Sequence, residues 1–145
     1  MNKNQTYIDT INQLISFHRA SLEVCDAAAS RLDDVEDRSE LRDMVEDHLR
    51  HVDRLARCVE SMGGSATRTK ADLPHSRDDV RPVRDSSALL HMLRSDHQVV
   101  ANAYQDHGAF GDVPDLVSDA VARGQAIVEQ HGTRLARTMG ALRAG

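Results

Sequence analysis

Residues 64–85, GSATRTKADLPHSRDDVRPVRD, lie between two long stretches of helical hydrophobic spacing and decide how those stretches connect. The segment carries Pro74 and Pro82 among Ser, Thr, Arg and Asp, with no sustained apolar period, so it reads as a connection without regular structure. A connection of this length is unusual inside a compact domain. About twenty extended residues reach up to roughly 66 Å, whereas a helix of about 25 residues is only about 38 Å long. The connection can therefore travel the full length of one helix and start the next at the far end.

Helical stripes flank it on both sides. Ile8, Ile11, Ile15, His18, Leu22, Cys25, Ala29 and Leu32 recur in steps of three and four, which places them on one narrow face. A second stripe holds Leu41, Met44, Val45, His48, His51, Val52, Leu55, Cys58, Val59 and Met62, and Gly63-Gly64 stops it. After the connection come Leu90, Leu93, His97, Val100 and Tyr104, closing at Gly108. Then follow Val117, Ala120, Gly124, Val128, His131, Leu135, Thr138 and Leu142, with Asp112 as cap and Pro114 in the first turn. The expected helices cover about 6–33, 38–62, 86–107 and 113–143 within one domain, 1–145, with caps at Thr6 and around Asp37 to Glu40. Short turns within each pair and a long link between pairs give an all-α bundle of two helical hairpins joined by a long crossover. An up-down-up-down bundle has no need of that link.

Composition narrows the function. A chain of 145 residues with 40% hydrophobic and 28% charged residues can bury one ordinary core. A net charge of −5 argues against nucleic acid or an anionic membrane as partner, and 3% aromatic residues with no Trp leave no base-stacking platform. No apolar stretch is long enough to span a bilayer, and residues 1–17 lack the pattern of a signal peptide, so a cytoplasmic protein is expected. Neither a glycine-rich phosphate loop nor a nucleophile triad is present.

Eight histidines are the unusual feature. On helical angles His18 falls within about 20° of its stripe centre, His48 and His131 within about 15°, and His51 and His97 within about 45°. His91 falls outside its stripe, His75 lies in the connection and His107 at a helix end, so these three read as surface residues. His18 and His51 lie equally far from the turn at Asp34-Val35 and should share a level, whereas His97 and His131 can be offset by up to roughly 9 Å. Asp26 and Asp96 flank their stripes at about 60° and read as peripheral. Cys25 and Cys58 fall on opposite sides of the histidine level, roughly 21 Å apart, too far for a disulfide or a shared ion, and read as packing. Tyr104, closing an apolar stripe, also reads as core. Several inward imidazoles suit one late transition metal in a near-tetrahedral site, zinc first, copper next and iron last. The alternative is a polar core in which the imidazoles pair with each other or with water, in a structural or partner-binding bundle.

Glu46-Asp47-His48-Leu49-Arg50-His51-Val52-Asp53-Arg54-Leu55 with Ser61-Met62-Gly63-Gly64 resembles the second helix of small bacterial ferritin-like proteins. The run from Ala88 to Tyr104, then Val113-Pro114 and Glu129-Gln130-His131, extends the resemblance over nearly the whole chain. It implies a ferritin-like four-helix bundle whose metal positions are a carboxylate, Glu-x-x-His, a carboxylate and Glu-x-x-His on successive helices. In this chain those positions fall at His18, at His48 and His51, at His97, and at Val128 and His131. The family histidines match His51 and His131, whereas three of the carboxylates have become histidine and one valine. The reading is therefore a transition-metal-binding ferritin-like protein for metal sensing, buffering or storage, with His18, His48, His51, His97 and His131 as ligands. From the resemblance a homodimer is also expected. A hemerythrin-like or di-iron oxidoreductase, suggested by Ser95-Asp96-His97, is the remaining alternative and lacks its bridging carboxylates.

Overall fold

Amphipathic stripes of this kind fold as helices that bury one face, and the computed structural model, which describes residues 3–107 and 113–144, places them so. Its helices are α1 (Lys3–Ala29), α2 (Val35–Ser61), α3 (Arg77–Val80), α4 (Ser86–His107) and α5 (Asp115–Ala144), with no strand among the described residues. Several ends differ from expectation. Thr6 is not a cap but sits inside α1, where its carbonyl accepts from Thr10 Oγ1 at 3.0 Å. The cap of α2 is Asp34, whose Oδ1 accepts from the backbone N–H of Glu36 at 2.8 Å and of Asp37 at 3.1 Å. Glu36 and Asp37 then belong to the first turn, where their charge favours the positive helix end. Gly63 closes α2 at φ +85°, a left-handed conformation that glycine adopts freely. Asp85 caps α4, its Oδ2 accepting from Ala88 N–H at 3.0 Å. The expected stop at Gly108 and cap at Asp112 lie outside the described residues.

α1 packs on α2 and α4, and α5 packs on α2 and α4, so the four long helices form a square with each hairpin along one side. The crossover is tied along α1. Asn12 donates to Ser65 O at 3.1 Å and accepts from Thr67 N–H at 2.8 Å, Ser16 O accepts from Ala71 N–H at 3.0 Å, and Glu23 pairs with Lys70 at 2.7 Å. Glu23 also meets Arg77 at 3.6 Å, so from Asn12–Ser65 to Glu23–Arg77 the crossover runs broadly parallel to α1 and delivers α4 to the turn end, where Asp33 N–H meets Ser86 Oγ at 3.5 Å. The segment is not wholly irregular: Ser76 and Asp79 form a capping box that starts the single turn α3.

Two apolar clusters fill the bundle. One gathers Ile11, Leu14, Leu55, Cys58, Val100 and Val117. The other gathers Val24, Cys25, Leu41, Met44, Leu93 and Leu135. Cys25 and Cys58 are thus buried, free and in separate clusters. Between the clusters lies a polar layer containing the buried His18, Ser21, His48, His51, Asp96 and His131. No helix among the described residues is long and apolar enough to cross a membrane.

Candidate functional site

Each long helix sends at least one side chain into this layer. His18 of α1 meets His48 of α2 through their Nδ1 atoms at 2.8 Å, and its Nε2 lies 2.6 Å from Tyr104 Oη of α4. His51 Nε2 reaches the same hydroxyl at 3.0 Å, and its Nδ1 accepts from Arg54 Nη1 at 3.1 Å. Ring centroids are 4.9 Å apart for His18 and His51 and 4.8 Å for His48 and His131, so these four rings form one cluster. Gly124 of α5 makes the crossing possible, because a Cβ there would overlap His51 Nε2 and Tyr104 Oη. Tyr104 is accordingly more than core: its ring is buried while its hydroxyl bridges two helices.

Beside this network is a cavity of about 10 Å3, lined by Ser21, Cys25, His48, Asp96, His97 and His131 with apolar neighbours including Met44 and Leu135. That is the size of one water or one ion. His131 Nε2 bonds Asp47 Oδ2 at 3.0 Å, which leaves its Nδ1 as the ring's other nitrogen. His97 is half-buried and rests over Gly132, where an added Cβ would come within 2.8 Å of its Nε2. His97 and His131 therefore sit nearly level, closer than the offset their spacing allowed.

Asp96 overturns its peripheral reading. It is 2% exposed, and its Oδ1 accepts from both the backbone N–H and the Nδ1 of His75, each at 3.0 Å. Its Oδ2 has no hydrogen-bond partner, and no other buried side-chain oxygen or nitrogen among the described residues is left so. His75 is likewise no free surface residue, because the crossover lays it over the flank of α4 that carries Asp96. A helical wheel of α4 alone carries no sign of that cover. Asp26 and His91 are exposed, and the side chain of His107 lies outside the described residues.

Burial governs the electrostatics. It holds His18 and His48 well below the ordinary histidine value, with neighbouring imidazoles adding to the effect. It lowers His51 and His97 to about 4. His131 is lowered by burial against the opposing pull of Asp47. Burial also raises Asp96, which the His75 hydrogen bonds oppose, and raises the Tyr104 hydroxyl. The layer is therefore a set of neutral imidazoles at pH 7.

A di-iron centre needs several bridging carboxylates, whereas Asp96 is the one buried carboxylate among the described residues. His18 and His48 use their Nδ1 atoms on each other at 2.8 Å, shorter than the roughly 3.3 Å between two ligands of one tetrahedral zinc. Among the described residues, no three His, Cys, Asp or Glu side chains already converge on one point as ligands. The cavity wall nevertheless carries two imidazoles, His97 and His131, and Asp96, one oxygen of which has no hydrogen-bond partner.

No protein-family description matches the chain, and no curated protein matches it. Solved structures do. A two-domain protein from Anabaena variabilis, containing DJ-1/ThiJ/PfpI-like and ferritin-like domains, superposes with a TM-score of 0.81 over 99% of this chain at 14% identity. The chain has the ferritin-like fold. It spans 39% of that two-domain protein. A dodecameric thioferritin, the bacterioferritin-related protein from Bacteroides fragilis, also superposes with a TM-score of 0.81, at 18% identity over 98% of this chain and 89% of its own. At these identities the likeness concerns the ferritin-like fold alone, and the chemistry rests on the residues above.

Proposed function

We propose that this ferritin-like bundle binds one divalent transition-metal ion at the cavity, through His97, His131 and Asp96, with His48 completing the wall. The observation that carries the reading is Asp96, which lines a cavity of about 10 Å3 together with two imidazoles and keeps one buried oxygen, Oδ2, without a hydrogen-bond partner. A buried polar atom left without a partner is unfavourable, and a cation bound to it removes that penalty. Asp47 supports the ligand role of His131. A carboxylate on one ring nitrogen makes the other a better donor and fixes its direction. Two imidazoles and one carboxylate suit zinc or iron(II), and zinc remains the first choice. One enclosed ion per chain fits sensing or buffering better than bulk storage.

The test is elemental analysis of protein purified without a histidine tag or chelator, with thermal melts before and after stripping. About one ion per chain and a lower melting temperature once stripped support the proposal. Asp96→Asn and His131→Ala should lose the ion while His91→Ala keeps it. No metal and an unchanged melt would refute it and leave the second reading, a metal-free polar core. The hydrogen bonds joining His18, His48, His51 and Tyr104 favour that second reading, because they satisfy one another without an ion. Self-association belongs to the same proposal, with the Bacteroides relative a dodecamer and a dimer the smallest form expected. Sedimentation velocity measures it directly.

A further inference from the structure

We infer that Arg54, His51, Tyr104 and His18 form a one-way hydrogen-bond relay that fixes which nitrogen of His48 carries its proton, so that His48 faces the metal cavity as a donor and not as a ligand. The relay stands on the geometry of these side chains; its consequence for the cavity rests on the metal reading above.

The direction begins at Arg54, because a guanidinium only donates. Its Nη1 lies 3.1 Å from His51 Nδ1, so that nitrogen accepts and the neutral ring carries its proton on Nε2. His51 Nε2–H therefore donates to Tyr104 Oη at 3.0 Å. The hydroxyl has one proton, and His18 Nε2 lies 2.6 Å away to receive it. His18 then carries its proton on Nδ1 and donates to His48 Nδ1 at 2.8 Å. What remains to His48 is Nε2–H. Each of the three rings thus accepts at one nitrogen and is a neutral imidazole.

Running the relay backwards would free a lone pair on His48 Nε2 for a metal, but the far end then fails. Either His51 Nδ1–H would face the Arg54 guanidinium as two donors, or the buried Tyr104 hydroxyl would donate to nothing. Arg54 and Tyr104 are thus positioning residues for the cavity. An ion there has three protein ligands, and the His48 N–H is left to serve an oxygen ligand such as water in the open place.

The test is long-range proton–nitrogen correlation NMR on the full chain, labelled with nitrogen-15 histidine and stripped of metal, which separates the two neutral imidazole forms. Expected are Nε2–H at His51 and His48 and Nδ1–H at His18. Arg54→Met removes the only fixed donor, and His18 and His48 should then average between both forms while His131 stays as in the native chain. Tyr104→Phe should leave His51 unchanged and release His18 and His48. If that variant does not fold, Arg54→Met decides, because Arg54 is only partly buried. Nε2–H at His18 in the native chain, or an unchanged His18 in the Arg54 variant, would overturn the relay. The expected forms in a protein that takes up no metal would overturn the metal proposal alone; reversed forms in a metal-binding protein would overturn the relay alone.

Discussion

Alanine at Gly124 and at Gly140 should move stability in opposite directions, although both glycines lie in α5. Helix propensity alone favours alanine over glycine by about 0.8–1.0 kcal/mol at either position. At Gly140 an added Cβ meets nothing within 4 Å, so Gly140→Ala should realise about that gain. At Gly124 the Cβ would overlap both His51 Nε2 and Tyr104 Oη and would lie 2.7 Å from Tyr104 Cζ. The two groups come from α2 and α4, and retreat of either breaks the bond between them. A buried polar group left unpaired costs about 1–3 kcal/mol, and overpacking adds about 1–3 kcal/mol. After the propensity gain the net loss for Gly124→Ala is about 1–5 kcal/mol, at the middle of that range a melting temperature lower by roughly 10 °C for a chain of this size. Urea and thermal unfolding of the two variants beside the native chain measure the difference. A Gly124→Ala protein as stable as the native one, or more stable, would refute the claim that the histidine–tyrosine crossing is built around a missing side chain.

Three more outcomes follow from the same layer. His51 and His97 are lowered to about 4, and His18 and His48 lie well below 6.5, so the unfolded chain binds protons below about 6.5 that the folded chain refuses. Stability of the stripped protein is therefore full above about pH 6.5 and falls as pH drops towards 4, at up to about 1.4 kcal/mol per pH unit for each such histidine; equal urea midpoints at pH 7 and pH 5 would refute this. Asp96→Asn keeps the Oδ1 acceptor for His75 and removes a charge that burial disfavours, so metal-free stability should hold or rise while metal uptake disappears. A loss above about 1 kcal/mol in the stripped variant would show that the charge of Asp96 serves the His75 pair instead. Burial, with Asp96 and Asp26 nearby, pushes the Cys25 thiol up to about 12, so a thiol reagent at pH 8 should leave Cys25 untouched until denaturant is added; rapid labelling of native Cys25 would contradict its place in the core.

Much of the polar layer was legible in one dimension. His18, His48 and His131 each fall near the centre of an apolar stripe and His51 falls within it, and an imidazole there has to be buried by whatever the stripe packs against. Symmetric distance from a short turn was enough to put His18 and His51 on one level, and their rings lie 4.9 Å apart. Helical angle places Tyr104 and Asp96 only in part, for different reasons. Tyr104 has the right angle for core and is in the core, but periodicity is silent about where a hydroxyl ends. Asp96 lies on the flank of its stripe, and a flank is solvent only if nothing else covers it.

Local spacing by itself determined the four long helices, their inward faces and the need for a crossover that spans the bundle, because a period of about 3.6 residues and the reach of an extended chain are properties of the backbone. Only the tertiary structure decided what the histidines do with their nitrogens. A hydrogen bond depends on ångström distances between side chains from separate helices, which no spacing along one helix contains. His18 pairs with His48 and Tyr104, and the crossover brings His75 onto Asp96 from 21 residues away. The orphaned oxygen of Asp96 and the cavity beside it exist only where four helices and the crossover meet.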